Sequence, residues 1–304
     1  MTRSAFYILL FVSLISFFSC SGRTDNQVEA QPEASAPAPR PARIVSMAPN
    51  ITEILFALGL GDRVVGVTDY CDYPPEALKK PKVGGVVNPN LEAIVALAPD
   101  LVLAVPNVTQ NTLFRTLRQF GIKVVTLPDE SLADLFETIR LIGEETSRQK
   151  QAERMIQQLT AKFDEVRATT ANLPRKKVMF VVGVNPLFVA GRGTFINELI
   201  QIAGGENIAG DSLSKYPQLG IEKVVTEAPE VILYTSLNYD LSSEQTERAK
   251  ELWSPYQSLP AVKDGRIHGL VADHVTLPGP RLMLGVEEMA RAIHPEAFRE
   301  EHPH

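Results

Sequence analysis

The chain has 304 residues, 44% of them apolar and 22% charged, and a formal net charge of −6. That balance belongs to a folded globular chain with material for one large core or two smaller ones. No basic block interrupts it, which excludes nucleic acid as an expected partner. The first element is an export signal. Arg3 supplies positive charge, and residues 5–18 (AFYILLFVSLISFF) are apolar apart from two serines. This run is shorter than the roughly 20 residues that a membrane span needs, so residues 1–19 read as a cleaved signal peptide.

Phe17-Phe18-Ser19-Cys20 resembles the lipobox of bacterial lipoproteins, with Phe17 where leucine is usual. This resemblance makes Cys20 the expected lipidated residue; ordinary secretory cleavage, with Cys20 incidental, is the other reading. Residues 20–42 then carry Pro32, Pro37, Pro39 and Pro41 among Ala, Glu, Gln and Ser, without an aromatic residue. Such a segment buries too little to fold and reads as a disordered tether reaching at most roughly 70 Å. The expected location is periplasmic or at the cell surface, held to the membrane by lipid alone. The chain has two cysteines, so with Cys20 assigned to lipid Cys71 has no disulfide mate. It is either buried and inert or placed at a ligand beside Tyr70.

From residue 43 onward strands and helices alternate. Residues 43–48, 64–68, 101–105 and 123–127 are apolar strand candidates. A helix start lies at Asn50-Ile51-Thr52-Glu53, with a cap and a carboxylate three positions later, and helical patterns follow over 109–120 and 131–145. Residues 147–172 contain no Gly or Pro and place Met155, Ile156, Leu159, Phe163 and Val166 on one face, which predicts a single long amphipathic helix. The strand–helix grammar then returns, with strands at 177–182, 231–236 and 266–271 and helices at 194–203, 220–227, 243–253 and 280–293. The expected fold is α/β: two Rossmann-like lobes with mainly parallel sheets, 43–146 and 173–296, joined by the helix 147–172, with a polar tail at 297–304.

An internal echo supports two related lobes. Residues 90–104 read NLEAIVALAPDLVLA and residues 220–234 read GIEKVVTEAPEVILY, which pairs Leu91 with Ile221, Glu92 with Glu222, Pro99 with Pro229 and Asp100 with Glu230. A weaker echo pairs 60–66 with 204–210. Two similar lobes with a cleft between them form a ligand trap.

Seven passages in order, RIVSMAPNITEILFALGLG, VVGVTDYCDYPP, NLEAIVALAPDLVLA, GVNPLFVAG, AGGENI, YPQLGIEKV and GPRL, make residues 43–295 resemble the cobalamin-binding branch of the ABC-importer solute-binding proteins. The resemblance implies a monomeric carrier without catalysis or catalytic cofactor, whose cleft holds cobalamin and whose closed form docks on an ABC permease and its ATPase. It implies a cleft lined by Tyr70, Val86, Val105, Phe188, Tyr216 and the Asp273-His274 pair, and docking through Glu92 and Glu222. As plain chemistry those two glutamates are also helix-start carboxylates.

Relatives of this branch carry several cleft tryptophans, whereas this chain has one, Trp253, in another region. Haem or an iron–siderophore is therefore the alternative cargo. His274 and Tyr70 are of the kind that ligates haem iron, and Cys71 joins them as a thiolate, so His274 and Cys71 are the conceivable metal contacts. His274 otherwise reads as a surface hydrogen-bonding residue. Arg281 either binds a ligand carboxylate or amide or pairs with a neighbouring acid. Phosphate-loop, zinc-protease and nucleophile-elbow patterns do not occur, so an enzyme is not expected. A ligand sensor for a signalling partner is the reading from another class.

Overall fold

A computed structural model describes residues 41–106, 111–236 and 243–298. The signal, Cys20 and most of the tether, and the tail from 299 onward, lie outside the described residues. No helix among the described residues is long and apolar enough to cross a membrane.

Two separate sheets form. In the first, β1 (Ile44–Ser46), β2 (Val64–Val67), β3 (Leu101–Ala104) and β4 (Lys123–Thr126) pair in the order β2-β1-β3-β4, all parallel. In the second, β5 (Lys176–Val184) pairs with β8 (Val231–Ser236), which pairs with β9 (Ile267–Val271), again in parallel. On its other edge β5 takes the parallel β7 (Gly205–Asn207) and the antiparallel β6 (Leu187–Val189). Without β6, the order β7-β5-β8-β9 repeats β2-β1-β3-β4. The lobes are thus two copies of one topology; the weaker sequence echo overlaps the edge strands β2 and β7 but is out of register with them, since it sets β7 against residues 61–63.

The stronger echo has a detailed physical basis. Helices α2 (Leu91–Ala96) and α7 (Ile221–Glu227) are both followed by a left-handed alanine, Ala98 at φ 43° and Ala228 at φ 51°, immediately before the repeated proline. The repeated acid then clamps the central strand of its lobe. Asp100 Oδ2 accepts the Arg43 N–H at 2.9 Å, and Glu230 Oε2 accepts the Lys177 N–H at 2.9 Å. The same two basic side chains reach back to carbonyls of the repeated helices, Arg43 to Leu97 and Lys177 to Glu227. Helix, turn and strand are stitched identically in both lobes.

Helix α1 (Pro49–Ala57) departs from expectation at its start. Pro49 takes the first helical turn, Ala48 is the N-cap without a side-chain bond, and Asn50 is buried inside the helix. Pro49 suits that place because its missing N–H would be unpaired there anyway. Helix α4 (Leu132–Thr146) follows its signal, with Ser131 and Asp134 forming a reciprocal capping box. Ser147, at φ 59°, ends α4 and lets α5 (Gln149–Thr170) begin. Helix α3 is described over Asn111–Gln119; the first two residues of its pattern lie outside the described ones.

One core runs through both lobes. Ile44 and Leu101 of the first sheet, Leu135 and Ile139 of α4, Leu159 and Phe163 of α5, and Val178 and Phe180 of the second sheet belong to a single buried cluster. Each large apolar side chain buried there contributes about 1.5–3 kcal/mol. The outer faces of the sheets carry their own clusters, Val45 and Val102 in the first and Met179 and Ile232 in the second. Both sheets are therefore covered on both sides, as parallel sheets require. Helix α11 (Leu282–Ile293) packs on α5 and on the short α10 (Ala272–Val275). A Cβ on Gly285 would lie 1.9 Å from the His274 carbonyl oxygen. Gly285→Ala is expected to destabilise the protein by about 2–3 kcal/mol through this overpacking. A urea midpoint unchanged by the substitution would show that α10 does not seat on α11.

Candidate functional site

In open parallel sheets, ligands bind outside the carboxyl ends of the strands, where the connections diverge. Tyr70 follows β2, Val105 follows β3, Asp129 follows β4, and Asp273 and His274 follow β9, so the topology brings these positions to the carboxyl edges of the two sheets. Phe188 stands on β6, beside the end of β5.

The residues expected in the cleft fall into groups. In the first lobe Tyr70 is 67% exposed, and its ring lies 3.6 Å from the place where a Cβ on Gly85 would stand, next to the half-buried Val86. Val105 is half-buried against the main core. In the second lobe Phe188 is half-buried and bridges through its backbone to Gln218, two residues from Tyr216. Tyr216 is 45% exposed. Burial raises its phenol above the ordinary value, and the Asp129 carboxylate adds to the effect. Asp129 belongs to the first lobe, so this interaction crosses between the lobes. Burial also raises the Asp129 carboxyl, assisted by the like charges of Glu130 and Asp134.

Beside Tyr216 the lobes are laced together. Lys215 pairs with Glu130, the Phe195 N–H donates to the Glu130 carbonyl at 2.9 Å, and the Leu132 N–H donates to Glu198 Oε2 at 2.9 Å.

Arg281 makes a second inter-lobe tie. It is the N-cap of α11, and its side chain is 8% exposed. Its Nε and Nη2 donate to the two oxygens of Glu53, on α1 of the other lobe, at 3.0 and 2.6 Å. Nη2 also donates to Asp273 Oδ2 at 3.0 Å, and the guanidinium lies 4.2 Å from the centre of the Tyr73 ring. Of the two roles open to it, pairing with an acid is the one this geometry displays. Glu53 is 3% exposed, and burial raises its carboxyl despite the opposing pull of Arg281. A groove of about 530 Å³ runs alongside, lined by Phe56 and Tyr73 of one lobe and Met283 and Leu284 of the other.

His274 sits with Glu288, not with its neighbour Asp273: Nδ1 lies 2.7 Å from Glu288 Oε1. Cys71 is fully buried, and its sulfur lies 3.2 and 3.1 Å from the hydroxyls of Thr52 and Thr68. A thiol enclosed in this way offers a cargo in the cleft no direct contact. Among the described residues no three His, Cys, Asp or Glu side chains converge as a metal ion would need.

Glu92 and Glu222 are both exposed in the first turns of α2 and α7, and neither side chain makes a hydrogen bond or ion pair among the described residues. Sequence reasoning missed Glu53, whose partner is 228 residues away, and Asp129, which no motif marks. It also missed Val182 and Val184, 39% and 56% exposed near the end of β5. Valines in an apolar strand carry no signal that they will stand exposed.

A family model described as periplasmic binding protein matches residues 44–273. The chain is 34% identical over 267 residues to the uncharacterized ABC transporter substrate-binding lipoprotein YvrC of Bacillus subtilis, covering 86% of this chain and 82% of that one. The crystal structure of the periplasmic vitamin B12 binding protein BtuF of Vibrio cholerae superposes with a TM-score of 0.72 at 28% identity, covering 86% of this chain and 99% of that one. The periplasmic heme-binding protein RhuT from Roseiflexus sp. RS-1 matches with the same TM-score and identity over 84% of this chain and 98% of its own. The two-lobe fold, the doubled carboxyl edges and these matches lead to one conclusion: the chain belongs to the periplasmic binding protein family, as an ABC-transporter substrate-binding protein of the iron, vitamin B12 and haem group, whose members are non-enzymatic components of transport.

Proposed function

We propose that the protein captures a cobalamin between its lobes and delivers it to an ABC permease and its ATPase. The observation that carries this reading is the charge at the carboxyl edges. Lys215 beside Tyr216 and Arg281 beside Asp273 are both bonded to carboxylates, whereas the Asp129 carboxylate takes no hydrogen bond among the described residues. Such an edge suits a cargo with neutral, donor-rich amides around its rim. It disfavours the propionates of haem or an anionic ferric siderophore, which need unspent cations. Tyr70, Val86, Val105, Phe188 and Tyr216, with the exposed Val182 and Val184, supply the apolar and aromatic contact that covers a flat macrocycle.

Haem is the second reading, and His274 favours it. A carboxylate that accepts from Nδ1 leaves Nε2 with its lone pair, which is how metal-ligating histidines are commonly held. Calorimetric and visible titration with cyanocobalamin, haemin and a ferric siderophore separates the readings. Sub-micromolar one-to-one binding of cobalamin, with no shift of the haem Soret band, is expected. A shifted Soret band with no heat from cobalamin transfers the assignment to haem.

The docking role of Glu92 and Glu222 rests on the internal repeat. Its other members do work inside the fold: Ala98 and Ala228 turn the chain, and Asp100 and Glu230 clamp strands. The two glutamates have no such task beyond a favourable place at a helix start. Repetition of exposed, unpaired carboxylates on both lobes suits a partner with two matching cationic sites. Cys20, outside the described residues, is read as the lipid anchor that holds the carrier near that partner.

A further inference from the structure

We infer that Lys215 is a positioning residue for the cleft, because its ion pair with Glu130 straps the two lobes together. The strap sets the spacing of Asp129 and Tyr216, which adjoin the paired residues on opposite lobes. The inference rests on the cobalamin reading above for its cargo, but not for the strap itself. Glu130 belongs to the first lobe and Lys215 to the second, and both side chains face solvent, 63% and 45% exposed. The pair lies outside the expected lining, so its action on a cargo runs through the residues beside it.

Both ends of the strap are fixed to their own surroundings. The Glu130 N–H donates to Asp134 Oδ2, the capping acid of α4, at 3.2 Å. The Glu130 carbonyl accepts the Phe195 N–H, from α6 (Phe195–Ile202) of the other lobe, at 2.9 Å. On the second lobe the Lys215 carbonyl accepts the Gly191 N–H at 2.7 Å, and the Pro217 carbonyl accepts the Val189 N–H at 3.1 Å. These bonds lay residues 215–217 beside the end of β6. A Cβ on Gly191 would stand 2.8 Å from the Ser214 carbonyl oxygen, so glycine is what admits this close passage. An ion pair between anchored backbones gives up less freedom as it forms than one between mobile segments, and more of its attraction is left to hold the lobes.

Charge gives the strap its direction. Asp129, Glu130 and Asp134 gather at the start of α4, where Glu130 and Asp134 help to raise the Asp129 carboxyl and Lys215 opposes them. The cation of the second lobe therefore faces a cluster of three carboxylates. Removing it leaves their mutual repulsion and takes away the attraction between lobes. Tyr216 follows Lys215 directly and feels the same Asp129 from across the cleft. Holding Lys215 on Glu130 thus fixes how far Tyr216 stands from Asp129. A cleft preset in this way spares the cargo the ordering of that wall.

The test uses Lys215→Met, Glu130→Lys and the reversed pair, Glu130→Lys with Lys215→Glu, with circular dichroism to check that each is folded. Lys215→Met is expected to weaken cyanocobalamin binding about three- to fivefold, mainly through faster dissociation. Cyanocobalamin carries no net charge, so salt acts chiefly on the strap. Raising salt from about 0.05 to about 0.5 M is expected to weaken the unaltered protein by a similar factor and to leave Lys215→Met unchanged. The reversed pair is expected to regain affinity to within about twofold, which a mere change of packing would not produce. Without cargo, hydrogen exchange of the Phe195 N–H, which bonds across the lobes, is expected to quicken about three- to fivefold in Lys215→Met and to recover in the reversed pair. A reversed pair no better than Glu130→Lys alone overturns the strap, as does Phe195 exchange that Lys215→Met leaves unaltered. If cyanocobalamin binds none of these proteins yet Phe195 exchange follows the charges, the strap stands and the cobalamin reading falls.

Discussion

Arg281→Met is expected to lower the unfolding free energy by about 3–5 kcal/mol, the range for removing one partner from a buried ion pair. The arginine is buried, ties α1 of one lobe to α11 of the other, and neutralises a glutamate that is 3% exposed. Without it, Glu53 is a charge in a dry place with Asp273 and Asp72 as like-charged neighbours. Replacing both partners, as Glu53→Leu with Arg281→Met, is expected to lose less than Arg281→Met alone, because no bare charge then remains. Chemical denaturation of the single and double variants decides the matter. A double variant as damaged as the sum of its singles would mean that the two side chains are not coupled.

The same pair predicts a pH dependence. Burial, the largest influence, holds Glu53 above the ordinary carboxyl value in the folded state. The folded form therefore binds more protons there than the unfolded form in the window above the ordinary value. In that window the contribution of Glu53 to stability falls as pH rises. Loss of Arg281 removes the group that opposes this shift, so the window widens upward. The deficit of Arg281→Met should be greatest near neutrality and shrink toward mildly acidic pH, measured as the difference in Tm across a pH series. A deficit that is flat with pH would show that the lost stability comes from the Tyr73 contact and packing rather than from the charge on Glu53.

Glu92→Ala with Glu222→Ala is expected to cut cargo uptake at least about tenfold while leaving cargo affinity unchanged. The two carboxylates stand in the first turns of equivalent helices and make no bond among the described residues. If their task were only to complement the helix dipoles, the double variant would lose stability, about 0.3–1 kcal/mol per residue, and keep its uptake. Uptake and Tm measured on the same preparation therefore separate docking from capping. Raised salt should weaken uptake in the unaltered protein and matter little in the variant, because exposed ion pairs are screened.

Periodic and locally punctuated features were legible before any fold was known. Alternating apolar strands and amphipathic helices identify an α/β chain, because a strand buried on both faces must be apolar throughout. The run without Gly or Pro from 147 to 172 reads as a helix, and α5 occupies Gln149–Thr170. The Ser131 cap is legible because its partner, Asp134, is three residues away. The doubled A-P-[DE] segment exposes the repeated topology, since one local stitch of helix, left-handed turn and strand serves both lobes. By contrast, the start of α1 departs from its local signal: Asn50 is a good cap in isolation, but Pro49 opens the helix one residue earlier and leaves Asn50 buried within it.

What local pattern alone settled is the alternation of the longer strands and helices, the doubling of the unit, and the two glutamates that the doubling singles out; the short β6, β7 and α10 left no readable pattern. Folding decided everything that joins distant parts of the chain. It paired Glu53 with Arg281 across 228 residues, set His274 on Glu288 rather than on Asp273, enclosed Cys71 between two threonines, and brought Asp129 toward Tyr216 from the opposite lobe. The physical reason is range. Propensity, capping and periodicity act over a few residues and leave their mark in adjacent letters. A buried charge or an orphaned hydroxyl such as that of Tyr234 is defined by what surrounds it, and those surroundings exist only after the sheets and helices have packed.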